Sequence, residues 1–143
     1  MRDQLTHAIE DYLKTIYDLS STHGRASTTQ IAEVLEITPA SVTGMIKRLA
    51  VSHPPLVEYQ KHRGVVLTDE GEEIALEIIR HHRLIELFLY ETLGYSWDEV
   101  DEEADKLEHV ISEEFEEKSA HALGDPTHDP HGDPGRLHDA HPL

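Results

Sequence analysis

TTQIAEVLEITPASVTGMIKRL, residues 28–49, is the stretch whose reading decides the fold. Ile31, Ala32 and Leu35, and then Val42, Ile46 and Leu49, recur at three- and four-residue spacing, which predicts two short helices. Ser27 and Gln30 have the spacing of a capping box and open the first. Thr38 opens the second: its hydroxyl can accept a bond from an orphaned amide, and Pro39 sits in a first turn where a missing N–H costs nothing. Ala32 is small where the two helices must cross. Two helices, a tight turn and a small crossing residue make a helix-turn-helix pattern. The outward side of the second helix carries Ala40, Ser41, Thr43, Gly44, Lys47 and Arg48. These are small groups suited to thymine methyls, hydroxyls suited to base edges or phosphates, and cations suited to phosphates. An ordinary three-helix core gives a similar pattern, so the flanking segments matter.

Upstream, Leu5, Ala8, Ile9, Tyr12, Leu13, Ile16 and Leu19 form an amphipathic first helix ending near Ser20 to Gly24. Downstream, after Pro54 and Pro55, LVEYQ (56–60) and GVVLT (64–68) are short and β-branched, as a two-stranded hairpin requires. Its tip carries Lys61, His62 and Arg63. A solvated turn accounts for those charges as well, but directly after a helix-turn-helix the hairpin reads as a wing reaching flanking phosphates. The residues expected to meet double-stranded DNA are Ser27, Thr38, Pro39, Ala40, Ser41, Thr43, Lys47, Arg48, Lys61 and Arg63.

Thr68 caps a long helix with an apolar stripe of Ile74, Ile78, Ile85, Phe88 and Leu89, running until Gly94 and spanning about 35 Å. His82 lies four residues after Ile78 and three before Ile85, so an imidazole falls inside that stripe, where an unpaired polar group is costly. The usual explanation of such a histidine is a hydrogen-bonded core residue, with a metal ligand as the alternative. Ser96 and Glu99 have the spacing of a second capping box, followed by Val100, Ala104, Leu107 and Ile111 and a shorter helical stretch to Leu123. Asp105, Glu108 and His109 fall at i, i+3 and i+4, on one ridge beside that stripe, where two carboxylates and an imidazole can converge on a cation. Residues 98–117 hold eleven carboxylates, so this spacing alone discriminates weakly. The last twenty residues, GDPTHDPHGDPGRLHDAHPL, contain four of the seven prolines and four of the twelve histidines and are expected to be extended or disordered. They read as a polar terminus, with a histidine-rich metal store as the alternative. The expected fold is mostly α: a winged helix-turn-helix domain over 1–72, an all-helical domain over 73–124, and a tail over 125–143.

Composition limits the chemistry. The 143 residues include no cysteine, which leaves only oxygen and imidazole ligands for a metal. No run of 18 apolar residues and no secretion signal is present, so a cytoplasmic protein without membrane contact is expected. The net charge of −17 looks hostile to phosphates, but it is unevenly placed. Residues 1–68 carry seven Lys/Arg and seven Asp/Glu, whereas residues 69–143 carry five and twenty-two. Within 44–64, Lys47, Arg48, Lys61 and Arg63 oppose Glu58 alone. The acidity also fits a carboxylate-rich surface for a high-salt cytoplasm. Enzyme signatures such as HExxH, a nucleophile elbow or a phosphate loop are missing.

EDYLKTIY (10–17), HRGVVLTDEG (62–71), RHHRLIELFL (80–89) and EADKLEHVISEE (103–114) occur in an order and spacing that resembles the diphtheria-toxin-repressor family of iron- and manganese-dependent regulators. The resemblance covers roughly residues 5–123. It implies a principal metal site of Asp11, Asp105, Glu108 and His109, with His82 a further ligand and Glu86 and Asp101 neighbouring candidates. Where the iron members that use sulfur ligands have methionine and cysteine, this chain has Asp11 and Asp105. Those hard oxygens favour Mn²⁺, then Fe²⁺, with other divalent transition metals behind. Manganese members carry a second acidic ligand where this chain has Lys14. Iron members usually continue into a small β-barrel after a segment like DPHGDP (129–134). The resemblance further implies a homodimer that binds palindromic operator DNA when loaded with metal and represses metal-uptake genes. The alternative is a winged-helix regulator responding to a small organic ligand.

Overall fold

The computed structural model describes residues 6–108 and 110–124. Among them are six helices and one two-stranded antiparallel sheet, so the mostly α class with a helix-turn-helix and a wing holds. The chain divides after Ala75 into two compact units, against the 72/73 boundary expected from the sequence. The expected tail, 125–143, lies outside the described residues.

In the first unit, α1 (His7–His23) starts where the Thr6 hydroxyl accepts from the Ile9 amide at 3.2 Å. It ends on Gly24, whose φ of +84° suits a residue without Cβ and whose amide bonds to Ser20 O. Its buried stripe is narrower than the periodicity implies: Tyr12, Leu13 and Ile16 are buried, Ile9 and Leu19 are partly so, and Ala8 faces solvent. Burial pushes the Tyr12 hydroxyl's pKa up, with the Arg48 charge opposing. The next helix, α2 (Thr28–Leu35), carries both halves of the capping box, the Gln30 amide to Ser27 Oγ at 3.0 Å and the Ser27 amide to Gln30 Oε1 at 2.9 Å. A left-handed Glu36 turns the chain into α3 (Pro39–Ala50), which Thr38 caps through the Ser41 amide. β1 (Val57–Gln60) and β2 (Gly64–Leu67) pair with Val57 opposite Leu67 and Gln60 opposite Gly64. The three-residue tip needs positive φ at His62 and Gly64. An isolated bridge from Ala26 to Val65 ties the wing to the entry of α2. Leu13, Ile16, Ile31, Val42, Ile46, Val57 and Val65 form the core. Each such side chain contributes roughly 1.5–3 kcal/mol on burial.

α4 (Asp69–Glu91) begins where Thr68 Oγ1 accepts from the Gly71 amide at 3.1 Å. Asp69, Glu70 and Glu72 complement the positive end of its dipole. It closes around Gly94, φ +76°, with the Tyr95 amide reaching back to Leu89 O.

In the second unit, α5 (Val100–Leu107) departs from expectation at its start. Ser96 and Glu99 enclose a turn instead of opening the helix, Glu99 occupies the N-cap, and no side chain caps it. The Glu99 carboxylate accepts from the Ser96 amide, and hydrogen bonding to Ser96 lowers its pKa. α6 (Glu113–Ala122) is capped by Ser112. Ile85 and Leu89 pack on Val100 and Ala104, with Tyr95, Leu107 and Ile111 around them. Leu84 packs on Ala120 and Leu123. Buried Arg80 and His81 both bond to the Glu116 carboxylate, joining α4 to α6.

Gly71 sits in the first turns of α4 with helical φ, where alanine would ordinarily stabilise. A Cβ there would lie 2.0 Å from Leu56 O. Gly71→Ala should therefore destabilise by about 1–3 kcal/mol, as backbone overpacking does. Urea unfolding of the two proteins measures this, and a raised midpoint would contradict the packing described.

Candidate metal centre

His82 is where α4 turns its buried face toward α5. It is 4% exposed, and carboxylates approach both ring nitrogens. Nδ1 lies 2.8 Å from Glu108 Oε2 and 3.5 Å from Asp105 Oδ1. Nε2 lies 2.9 Å from Asp101 Oδ1 and 3.8 Å from Glu86 Oε2. A neutral imidazole donates one hydrogen bond only, so two carboxylates, Glu108 and Asp101, can both accept from His82 only when the ring is protonated.

Each ligand candidate is placed by a different local rule. Glu86 follows His82 by one helical turn, on the same side of α4. Asp101 and Asp105 are one turn apart on α5, whose orientation comes from Val100 and Ala104 packing on Ile85 and Leu89. Glu108 is the C-cap of α5, still right-handed at φ −59°, and is buried. Asp101 and Asp105 are 68% and 56% exposed, so the centre has a buried wall of His82, Glu86 and Glu108 and a solvent-facing wall of two aspartates. That second wall leaves a cation a route in.

Glu86 is the most informative residue. It is 0% exposed; Oε1 accepts from Arg83 Nη1 at 3.0 Å, while Oε2 has no hydrogen-bond partner among the described residues. A buried carboxylate oxygen without a partner is costly, and a cation beside it removes the cost. His82, Glu86 and Asp101 form one group whose ligand atoms lie within 4.8 Å of one another, and His82, Asp105 and Glu108 form another. All donors are oxygen or imidazole, the set that suits hard and borderline divalent ions. A neutral imidazole offers one lone pair, so the shared His82 serves one group at a time.

The structure thus brings together His82, Glu86, Asp101, Asp105 and Glu108. Asp11 lies part-buried on α1 in the first unit, and His109 is outside the described residues. On the face expected to meet DNA, Pro39, Ala40, Ser41, Lys47, Arg48, Lys61 and Arg63 are exposed and Thr43 is half-buried. The hydroxyls of Ser27 and Thr38 serve as helix caps. Arg25 was missed by the sequence reading: its Nε donates to Arg63 O at 3.0 Å, which sets a third cation beside the wing tip. Only the 38-residue separation hid it.

Residues 4–65 match the family model described as the iron dependent repressor N-terminal DNA binding domain, and residues 68–136 match the iron dependent repressor metal binding and dimerisation domain. The chain belongs to the iron-dependent repressor family. Members similar to it include the iron-dependent repressor IdeR of Mycobacterium tuberculosis, 34% identical over 92% of this chain and 56% of IdeR. The transcriptional regulator MntR of Oceanobacillus iheyensis is 36% identical over 75% of this chain and 71% of MntR. A solved manganese-dependent transcriptional repressor in complex with manganese superposes with a TM-score of 0.74 at 39% identity, covering 88% of this chain and 57% of that one. The chain therefore spans little more than half the length of IdeR. No helix among the described residues is long and apolar enough to cross a membrane.

Without metal, His82→Ala leaves Glu108 buried and stripped of its imidazole partner. The variant should lose about 1–3 kcal/mol of stability in chelator. Denaturation in EDTA tests this, and unchanged stability would mean the imidazole contributes nothing to the apo fold.

Proposed function

We propose that this repressor-family chain is a metal-activated transcriptional repressor that binds operator DNA as a homodimer when loaded with Mn²⁺ or, second, Fe²⁺. The observation that carries the reading is the buried Glu86 oxygen without a hydrogen bond among the described residues, beside an imidazole flanked by carboxylates on both sides, in the domain matched as metal binding. His82, Glu86, Asp101, Asp105 and Glu108 are the proposed ligands among the described residues, with Asp11 and His109 added by family resemblance. An ion bound there would supply two positive charges to a crowded set of carboxylates and a link between the helices that bear them. Without it the carboxylates repel one another, a repulsion that the His82 contacts and the Arg83–Glu86 ion pair offset. Binding energy realised in only one arrangement of the chain shifts the population toward that arrangement, here the DNA-competent one. The oxygen-rich donor set with a single imidazole is the reason for proposing manganese ahead of iron. Metal excess would then silence uptake genes in the cytoplasm.

An apolar cleft of about 250 Å³ opens on the second unit, lined by Leu84, Ile85, Phe88, Leu89, Leu107 and Phe115 among others. Phe88 and Phe115 meet edge to face in it. We assign this face to the second copy of the chain, in line with the dimerisation domain that the family model describes. A twofold dimer would present two copies of α3 to a palindromic operator. Lys47, Arg48, Lys61 and Arg63 would hold phosphates, while Ala40, Ser41 and Thr43 would face base edges.

Fluorescence anisotropy with a duplex selected by the metal-loaded protein, titrated with Mn²⁺, Fe²⁺ and Zn²⁺, tests the reading. Binding should need metal and vanish in EDTA, and Glu86→Gln and Asp105→Ala should each raise the metal required by about 10–100-fold. Operator binding that ignores chelator would replace this reading with a regulator of an organic ligand housed in the apolar cleft. In the same assay, Lys61→Ala and Arg63→Ala should each lower the slope of log affinity against log salt by about one. An unchanged slope would remove the wing from the DNA interface.

A further inference from the structure

We propose that Gly44 is a specificity-determining position of the DNA-reading helix. Lacking a side chain there, the middle of α3 meets base-pair edges at backbone distance and reads them by steric fit. The inference rests on the reading of α3 as the DNA-facing helix.

Gly44 is the sixth of the twelve residues of α3. A glycine inside a helix weakens it relative to alanine, because it loses more freedom on folding and leaves backbone open to water. Among the described residues nothing within the fold requires glycine at 44. The glycines with left-handed φ among the described residues are Gly24, Gly64, Gly94 and Gly124, and Gly44 is not one of them. Close packing does not demand it either. A Cβ at Gly64 would meet Ala26 O at 2.5 Å and one at Gly71 would meet Leu56 O, whereas a Cβ at Gly44 meets nothing within 4 Å. Nor does the helix end there, since six residues of α3 follow.

The explanation lies outside the chain, on the face where Gly44 sits. Ala40 and Ser41 precede it by one turn and Lys47 and Arg48 follow by one turn, and all four are exposed. The cations hold the C-terminal half at phosphates, and the short residues let the rest sink into the groove. The major groove is about 12 Å wide and a helix with side chains is about 10–12 Å across. A gap at the centre of the inserted face therefore decides how deeply the helix seats. At that depth a thymine methyl or another bulky base edge fills the space that a side chain would occupy. A longer side chain at 44 would lift the helix or contact a base of its own choosing.

The test selects duplexes of about 30 base pairs, enough for two half-sites, from a random pool with the Mn²⁺-loaded full chain. Wild type, Gly44→Ala, Gly44→Leu and Gly44→Gln are then compared on the selected duplex and a scrambled one, alongside thermal melts. Gly44→Ala and Gly44→Leu should melt higher than wild type. Gly44→Leu should bind the selected duplex about tenfold or more weakly, as a mismatch at one base pair does. Its binding to the scrambled duplex, set by phosphate contacts, should stay within about twofold. Reselection with Gly44→Gln should change the preferred base at one position in each half-site, a result that a purely structural role would not produce. If wild type enriches a sequence but Gly44→Leu binds it equally and Gly44→Gln returns the same motif, this inference alone is overturned. If wild type enriches nothing, the proposed function falls and this inference falls with it.

Discussion

One imidazole, 4% exposed on α4, has carboxylates on both of its ring nitrogens, and the second unit is organised around that arrangement. Burying a titratable ring in an apolar stripe costs less where its nitrogens find hydrogen-bond partners. His82 finds them because Ile85 and Leu89, on either side of Glu86, pack against Val100 and Ala104 and so bring α5 across the ring. The apolar contact sets the orientation, and the polar contacts follow from it. Glu86 is the remainder of this arrangement: one oxygen is taken by Arg83 and the other faces the imidazole too far away to bond.

The uneven charge of the chain acquires a physical meaning in this light. A net charge of −17 would work against DNA binding if it were spread evenly. Instead the excess of carboxylates falls after residue 68, while Arg25, Lys47, Arg48, Lys61 and Arg63 lie in the first unit, on α3 and around the wing. On the proposed function, a divalent cation would bind the acidic segment and phosphates the segment whose charges balance. In the family to which the chain belongs, the two matched models divide the same two tasks between the same two segments.

Two glycines show how similar local chemistry is put to different use. Gly71 and Gly44 both lie in helices at ordinary helical φ, and propensity alone treats them alike. Gly71 is required because Leu56 O occupies the place of its missing Cβ, whereas around Gly44 that place is empty. Arg80 and His81 make a parallel point among polar groups. They sit next to His82 in sequence, yet both turn to Glu116 on α6.

What the sequence determined by itself is what depends on neighbours a few residues apart. The caps at Ser27, Thr38 and Thr68, the helices of residues 28–49, the hairpin between Gln60 and Gly64 and the burial of His82 all follow from hydrogen bonds and periodicities that close within one or two turns. The second capping box failed for the same reason that the others succeeded. Spacing at Ser96 and Glu99 is compatible with either a turn or a helix start, and here the two residues close a turn before α5 begins at Val100. Only the tertiary structure decided which of the eleven carboxylates between 98 and 117 reach the imidazole. It also left one oxygen of Glu86 without a hydrogen bond among the described residues and set Arg25 beside the wing. These outcomes depend on side-chain packing between segments far apart in the chain, and periodicity within one helix carries no information about which face of the next helix it will meet.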